Sequence, residues 1–243
     1  MIPRDHPRYY SLMTRERLAR CAKKGIVSLE GLAAHGRGEA FDYLLGEKTT
    51  KSAFLAQQTA AALLMAAHHP VISVNGNSAA LAAHEIAALQ RSSGALVEVN
   101  LFHRTKKRIG SIERLLQDAG AEVFSGEAER LLPLSHDRAW CRRNGIFSSD
   151  VVLVPLEDGD RCEALVSMGK KVIAIDLNPL SRTARAATLT IVDELTRAVP
   201  NITRACNELS QNDRDRLTVS FDNNYLLTDA IREMTERLSH ALD

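Results

Sequence analysis

A strand–helix–strand pattern occupies residues 151–179, which read VVLVPLEDGDRCEALVSMGKKVIAIDLNP. Two apolar runs, 151–154 and 172–175, flank a segment of helical spacing that ends at Gly169. Unbroken runs of Val, Ile and Leu are typical of parallel strands buried on both faces. The pattern therefore predicts two strands of a parallel sheet with a helix between them.

The same pattern occurs on both sides of this segment. Apolar runs at 71–74, 96–99 and 189–192 each precede a stretch of helical spacing, and a further short strand is expected at 121–124. The run at 96–99 differs from the others because it contains Glu98. Alternating strands and helices predict an α/β, Rossmann-like fold, with a mostly parallel sheet and helices on both faces.

Two outer segments complete the expected organisation as one domain overall. Residues 1–69 predict a helical N-terminal segment that packs on the core, in which 31–49 begin as a loop. Residues 70–210 predict the Rossmann-like core. Residues 211–243 predict a linker, which begins in the polar stretch 209–216, and an amphipathic C-terminal helix.

Composition excludes several classes of protein. The 243 residues contain 31 Lys and Arg against 30 Asp and Glu, so nothing suggests a nucleic-acid partner. No signal-peptide pattern or stretch long enough to span a bilayer is present, which predicts no membrane partner. The four cysteines, Cys21, Cys141, Cys162 and Cys206, have no CxxC spacing and fit a reducing compartment. We therefore expect a cytoplasmic protein.

The loop after the run at 172–175 is a candidate nucleotide site. Ligands of open α/β sheets bind outside the carboxyl ends of the strands, where an acidic residue can bind ribose hydroxyls. Asp176 and Asn178 occupy that position, and Arg182 with Thr183 follows. A guanidinium makes charge-assisted hydrogen bonds to phosphate. The alternative is that Asp176 and Asn178 only form the turn before Pro179.

Two other strand-end loops favour an anionic ligand. Asn75, Gly76 and Asn77 lie between a strand and a helix, where backbone amides and the helix dipole attract anions. An N-capping turn uses the same atoms and is the alternative. Arg104 lies just before the next helix, where a cation is unfavourable unless an anion is bound. A solvated basic face is the alternative there.

The loop after the run at 151–154 contains Asp158 and Asp160. Carboxylate oxygens are ligands that Mg²⁺ prefers, so these two residues are candidate metal ligands. The alternative is that Asp160 caps the following helix.

His35 and Arg37 alternate with Gly36 and Gly38. Glycine permits close approach of the backbone to a ligand, so both side chains are candidate ligand contacts. Other binding signatures are absent, including GxxxxGK[ST], GxGxxG, HExxH and GxSxG. The residues alone thus indicate an α/β protein that handles a phosphorylated ligand, with a nucleotide favoured.

Several long strings resemble one enzyme family. AHGRGEAFDYLLGEKT (34–49), PVISVNGN (70–77), VNLFHRT (99–105) and VIAIDLNPLSRTA (172–184) are similar to segments of the archaeal-type phosphopantothenate synthetases, or 4-phosphopantoate–β-alanine ligases. The resemblance covers about residues 2–200.

Membership implies ATP-dependent condensation of 4-phosphopantoate with β-alanine in coenzyme A biosynthesis. The implied route passes through an acyl-adenylate and releases AMP and diphosphate, with Mg²⁺ on the leaving group. It needs no protein nucleophile, which fits the lack of a triad signature, and it leaves the base for amine attack open. The family also implies a homodimer.

The resemblance also implies site residues. The implied nucleotide contacts are Arg15, Arg37, Asp176, Leu177, Asn178, Arg182, Thr183, Glu194 and Leu195. For the phosphopantoate end we expect His35, Asn75, Asn77 and Arg104, on physical grounds only. Another ATP-dependent carboxylate–amine ligase, or a non-catalytic nucleotide-binding module on the same fold, stays open as an alternative.

Overall fold

The computed structural model describes residues 2–241, which form a five-stranded sheet, a small two-stranded sheet and ten α-helices. The strands are β1 (Pro70–Val74), β2 (Leu96–Val99), β3 (Glu129–Arg130), β4 (Trp140–Cys141), β5 (Val151–Pro155), β6 (Lys171–Ile175) and β7 (Leu189–Ile191). The helices are α1 (Tyr9–Lys23), α2 (Leu29–Leu45), α3 (Lys51–Ala66), α4 (Gly76–Ser93), α5 (Lys106–Asp118), α6 (Gly159–Ser167), α7 (Arg182–Ala186), α8 (Leu195–Glu208), α9 (Gln211–Val219) and α10 (Asn223–Ser239).

The large sheet has the strand order β2-β1-β5-β6-β7, and its strands are parallel. The chain runs from β1 to β2 in one direction and from β5 through β6 to β7 in the other. The reversal leaves a crevice at the carboxyl ends of β1 and β5, which is where such sheets bind ligands. The predicted Rossmann-like fold with N-terminal helices and a C-terminal helix is confirmed. The division into three segments stays a prediction.

Alternate residues of the central strands β1, β5 and β6 enter two separate cores. Ile72, Leu153 and Ile173 lie side by side and pack against α3, α4 and α8. Their neighbours Val71 and Val152 face the other way, toward α6 and the β3–β4 sheet. Burial on both faces explains why these strands read as continuous apolar runs.

Glu98 is the polar exception in β2, and it is buried. Its two carboxylate oxygens accept hydrogen bonds from the backbone amides of Arg142 and Ile146, each at 2.8 Å. Burial raises the pKa of this carboxyl despite those bonds. Gly145 lies between the two donors, and a Cβ there would come within 2.0 Å of Glu98 Oε2. Glu98 therefore fixes an irregular turn against the sheet.

The expectation of a loop at the start of 31–49 is wrong, because helix α2 already begins at Leu29. Ser28 caps it by accepting a hydrogen bond from the Gly31 amide at 3.2 Å, and Gly46 ends it with φ +86°. The glycines within α2 suggested a loop, since glycine is a poor helix former. Tertiary packing, described below, outweighs that preference.

Two further local predictions are wrong. Most of the polar stretch 209–216 is helical, because Ser210 caps α9 and Leu217 buries its apolar side chain. Residues 121–124 do not form a strand of the sheet. They contribute only a single bridge, between Val123 and Val97.

Helix α10 completes the fold by packing on α2. Leu227, Ala230 and Met234 of α10 form a small core with Leu45 of α2 and with Leu177. This core lies beside the carboxyl ends of β6 and β7. Within residues 2–241, none of the helices combines the length and the apolar character that crossing a bilayer requires.

We predict that Gly76→Ala destabilises the protein because the first turn of α4 touches the N-terminal segment. A Cβ at Gly76 would lie 2.2 Å from the carbonyl oxygen of Ile26. We expect the free energy of unfolding to fall by about 1–3 kcal/mol in denaturant titrations. Gly110→Ala is the control, because a Cβ in that helix meets nothing within 4 Å, and it should stabilise by up to about 1 kcal/mol. A neutral or stabilising effect of Gly76→Ala would contradict this packing.

Candidate active site

A large cleft of about 1350 Å³ opens at the carboxyl ends of β1, β5, β6 and β7. Its floor consists of the loops after these strands, and helix α2 forms one wall. The predicted site residues in its wall are His35, Arg37, Asn75, Asn77, Asp158, Asp176, Leu177, Asn178, Arg182, Thr183, Glu194 and Leu195. Arg15, Arg104 and Asp160 lie outside the residues that line it.

Helix α2 docks on the core through residues spaced four, three and four apart. Gly31, His35, Gly38 and Asp42 therefore share one face of the helix. The Gly31 carbonyl accepts a hydrogen bond from Asn77 Nδ2 at 2.7 Å. A Cβ at Gly31 would come within 2.4 Å of Asn77 Oδ1, so only glycine permits this approach. Gly31 therefore serves helix packing, a reason that the sequence pattern did not reveal.

The C-terminal end of this helix face, at Asp42, is held by ion pairs. Asp42 accepts hydrogen bonds from both terminal nitrogens of Arg197, and Arg197 also bonds Asp193. Asp193 receives further bonds from Thr49 Oγ1 at 2.6 Å and Gln57 Nε2 at 2.8 Å. This network ties α2 and α3 to α8 beside the cleft. Our sequence interpretation missed it because its partners are far apart in the chain.

The side chains of Asn75 and Asn77 already have partners within the protein. Asn75 Oδ1 caps α4 by accepting from the Ser78 amide at 3.0 Å. Its Nδ2 donates to the carbonyls of Pro155 and Leu156, each at 3.0 Å. Leu156 has φ +55°, a conformation that costs free energy for a branched side chain. Asn75 therefore holds the two loops of the crevice together, and the N-capping alternative is realised.

The first turn of α4 still presents donors to the cleft. The Gly76 and Asn77 amides donate no hydrogen bond to any part of the chain between residues 2 and 241. Arg108 is next to Gly76, and its guanidinium donates to the carbonyls of Ile26 and His103, each at 3.1 Å. No carboxylate of the described chain pairs with Arg108. This end of the cleft is consequently positive and suits an anion.

A buried charge network supports the loop after β5. Glu157 pairs with Arg161, and it also pairs with Arg138 at 3.2 Å. Arg161 also donates a hydrogen bond to Ser73 Oγ at 3.0 Å, and Arg138 donates one to the Asn100 carbonyl at 3.0 Å. Breaking such a buried pair costs about 3–5 kcal/mol, because the remaining charge has no partner. Our sequence interpretation gave Arg138 and Arg161 no role; the four-residue spacing of Glu157 and Arg161 was the available signal.

The two candidate metal ligands each have a side-chain partner within the protein. Asp158 Oδ2 lies 3.4 Å from Arg138 Nε, and Asp160 Oδ2 lies 2.8 Å from His136 Nε2. Burial raises the pKa of Asp158, although the positive charge of Arg138 acts to lower it. Nowhere in residues 2–241 do three His, Cys, Asp or Glu side chains meet as a metal site would require. Asp158, rather than Asp160, occupies the N-cap position of α6.

The loop after β6 has the turn that was the alternative interpretation. Asp176 Oδ1 accepts from the Asn178 amide at 2.9 Å, and Oδ2 accepts from Ser181 Oγ at 2.5 Å. Asn178 Oδ1 accepts from the Leu180 amide at 2.9 Å. Burial raises the pKa of Asp176. Each oxygen can accept more than one hydrogen bond, so the turn does not preclude contact with a ligand hydroxyl.

Neighbouring residues fix this loop. Thr183 Oγ1 donates to the Glu157 carbonyl at 2.8 Å, which links the loops after β5 and β6. Arg182 pairs with Glu163 at 2.8 Å, and both side chains are exposed. Glu194 caps α8 by accepting from the Thr196 amide at 2.6 Å. The adjacent Leu195 is buried.

The remaining predicted arginines differ in how freely they could contact a ligand. Arg37 is exposed on the cleft wall, and no carboxylate in residues 2–241 pairs with it. Arg15 contacts both oxygens of Glu39, the nearer at 2.8 Å, and Glu39 also lines the cleft. Arg104 is half-buried, and its backbone amide donates to Asp137 Oδ2 at 2.9 Å. Arg37 is therefore the predicted cation best placed to meet a ligand.

Known proteins match this chain over its length. The family model described as phosphopantothenate/pantothenate synthetase matches residues 52–237. A Methanospirillum hungatei protein named 4-phosphopantoate–beta-alanine ligase is 60% identical over 243 residues, which are 100% of this chain and 100% of the relative. Proteins of the same name from Methanosarcina mazei and Thermococcus kodakarensis are 52% and 46% identical, over 98% of this chain and 95% and 94% of their own. The resemblance that the motifs indicated is confirmed.

We predict that Asn75→Ala loosens the crevice in addition to removing a helix cap. We expect a loss of about 1–3 kcal/mol of stability, because two carbonyls of the β5 loop also lose their donor. The Leu156 amide, which donates to the Ile175 carbonyl at 3.1 Å, should exchange its hydrogen faster. Ser210→Ala is the control, because it removes only the cap of α9. Equal exchange of Leu156 in the two variants would contradict the bridging role.

Proposed function

The chain belongs to the phosphopantothenate/pantothenate synthetase family, and on that premise we propose that it is a 4-phosphopantoate–β-alanine ligase. The observation that carries the proposal is the 60% identity, from end to end, with a relative of that name. The cleft supports it, since one end is positive and the other consists of the strand-end loops that bind nucleotides in such folds.

The proposed reaction has two steps. The carboxylate of 4-phosphopantoate attacks the α-phosphorus of ATP, so that a C–O–P linkage forms and diphosphate leaves. The β-alanine amine then attacks the acyl carbon, an amide bond forms, and AMP leaves. Neither step uses a protein nucleophile. The protein's task is to hold the reactants in line and to stabilise the charge that develops.

We propose that ATP binds over β6 and β7. Asp176, Leu177 and Asn178 would contact the nucleoside, with Glu194 and Leu195 beside it at the start of α8. Thr183 and Arg182 follow at α7, and Arg37 faces them from α2. In this arrangement Arg37 meets the phosphates, because it has no internal ion pair to break. Arg15 would reach the nucleotide only by leaving Glu39.

We propose that the phosphate of 4-phosphopantoate lies at the first turn of α4. The Gly76 and Asn77 amides and Arg108 supply donors there, which is the contribution we now assign to the Asn75–Asn77 loop. The side chains of Asn75 and Asn77 would act by positioning that loop. Arg104, although outside the cleft wall, would add positive charge nearby.

We propose that Mg²⁺ is held mainly by phosphate oxygens of ATP, and not by a complete set of protein ligands. Asp158 pairs with Arg138, Asp160 contacts His136, and within the described chain these groups are not part of a cluster of three metal-binding side chains. Mg²⁺ would therefore enter with the phosphates of ATP. Asp158 and Asp160 as metal ligands stay a prediction from the sequence.

We also propose that the enzyme acts as a homodimer in the cytoplasm. Four unpaired cysteines fit a reducing compartment. Exposed apolar side chains on α3 and α10, among them Phe54, Leu55 and Tyr225, offer a surface for a second copy.

The proposal predicts a defined set of products. Purified protein with ATP, Mg²⁺, 4-phosphopantoate and β-alanine should form 4′-phosphopantothenate, AMP and diphosphate in equal amounts, measured by chromatography. Pantoate without its phosphate should react poorly, because the positive end of the cleft would lack its anion. No AMP above the control without amine would contradict ligase activity, and binding of ATP without turnover would favour a nucleotide-binding module. ADP in place of AMP would contradict the adenylate route.

We predict that Arg37→Ala weakens the use of ATP. A charge-assisted hydrogen bond is worth about 1.5–3 kcal/mol, so the KM for ATP should rise about ten- to hundredfold in steady-state kinetics. Arg185→Ala is the control, because Arg185 is an exposed arginine of α7 that does not line the cleft. Unchanged ATP kinetics for Arg37→Ala would remove Arg37 from the site.

A further inference from the structure

One histidine of the cleft lies on the helix face that connects its two ends. Gly31 contacts Asn77 at the first turn of α4, and Gly38 faces Leu177 in the loop after β6, where a Cβ on Gly38 would lie 3.7 Å from Leu177 Cδ1. His35 is four residues after Gly31 and three before Gly38, on the same face of α2. At 1.5 Å per residue, it lies within roughly 6 Å of each contact along the helix axis.

We propose that His35 is the catalytic base of the amide-forming step, accepting a proton from the β-alanine amine as that amine attacks. The inference rests on the proposed function. With phosphopantoate at the first turn of α4 and the nucleotide over β6, the acyl-adenylate carbonyl must lie between the two ends. His35 faces that position from the wall.

The imidazole has the properties of a base that awaits a ligand. His35 Nε2 is buried, and it has no hydrogen-bond partner anywhere between residues 2 and 241. An unsatisfied buried polar atom costs about 1–3 kcal/mol, which a bound ligand group would recover. Burial lowers the pKa of His35, an effect that Arg15 reinforces and that Glu39 and Asp42 oppose. The ring is thus neutral near pH 7, with a lone pair to accept a proton.

The acidic side chains around His35 are less suited to the task. Asp42 and Glu39 are bound to arginines, and Asp176 is bound within its own turn. Glu194 is occupied as the cap of α8. Burial raises the pKa of Asp176 and of Glu194, but the hydrogen bonds of the turn and of the helix cap hold both carboxylates in place. His35 Nε2 has no such partner in the described chain, so it is the acceptor among these groups that can meet the amine.

The step balances without any further reactant. The amine nitrogen in its free-base form attacks the acyl carbon, and the carbonyl electrons move to oxygen. The tetrahedral intermediate loses one N–H proton to His35 Nε2. The C–O bond to the adenylate then breaks, its electron pair leaves with AMP, and the amide remains. His35 returns its proton to solvent after product release.

The test separates the two half-reactions in His35→Gln. Exchange of labelled diphosphate into ATP, with 4-phosphopantoate and no amine, measures adenylation, and we expect it to stay within about threefold of the unmodified protein. Amide formation should fall by about 10²–10⁴-fold, the usual contribution of general base catalysis. Hydroxylamine, a weaker base that is largely unprotonated at pH 7, should depend less on His35 than β-alanine does. His84→Gln, an exposed histidine of α4, is the control and should change neither rate.

Three outcomes distinguish the possibilities. Equal loss of exchange and amide formation would overturn the proposal, because it indicates a structural role for His35. Full amide formation in His35→Gln would also overturn it. Lack of exchange in the unmodified protein would instead remove the proposed function itself.

If His35→Gln fails to fold, the unmodified protein still gives the answer. At a constant concentration of free-base β-alanine, the single-turnover rate of amide formation should still have an acid limb below the ordinary histidine pKa of about 6.5, which the exchange reaction lacks. The same acid limb in amide formation and in diphosphate exchange would contradict the role of His35 as the base.

Discussion

The contact between helix α2 and the first turn of α4 is the constraint on which the site depends. Asn77 donates to the Gly31 carbonyl, and the backbone of Ile26 lies against Gly76, so that glycine is required on both sides. The contact makes the N-terminal helices one wall of a cleft whose floor is the sheet. Without that wall the strand-end loops would be open to water, and neither His35 nor Arg37 would face them.

Two networks of ion pairs keep the strand-end loops and helix α2 in this arrangement. The Arg161–Glu157–Arg138 network fixes the loop after β5, and Arg197 joins α2 to α8 through Asp42. Each of these charged groups pairs with an opposite charge, and none of them is fully exposed. They keep the loops in place, so the donors left for a ligand are few: the first amides of α4, Arg108 and Arg37. A site of this kind is organised before its ligand arrives, which lowers the cost of binding and of reaching the transition state.

The sequence predicted most of the fold and the location of the site, and the reasons are physical. Buried parallel strands are visible as apolar runs, and ligands bind at the ends of such strands, so the loops containing Asn75 and Asp176 could be found in advance. The packing role of Gly31 could not, because a glycine in a helix looks the same in the sequence as one in a loop. Nor could partners such as Asp42 and Arg197, which lie 155 residues apart.

We infer that phosphopantoate and the nucleotide meet beneath α2, between the first turn of α4 and the loop after β6. The most direct measurement is a crystal structure with a sulfamoyl analogue of phosphopantoyl-adenylate, which mimics the intermediate but does not react. We expect the phosphate of the analogue at the Gly76 and Asn77 amides, the adenosine at Asp176–Asn178, and the acyl carbonyl opposite His35. An analogue bound with either end elsewhere, or with α2 displaced from the cleft, would contradict it.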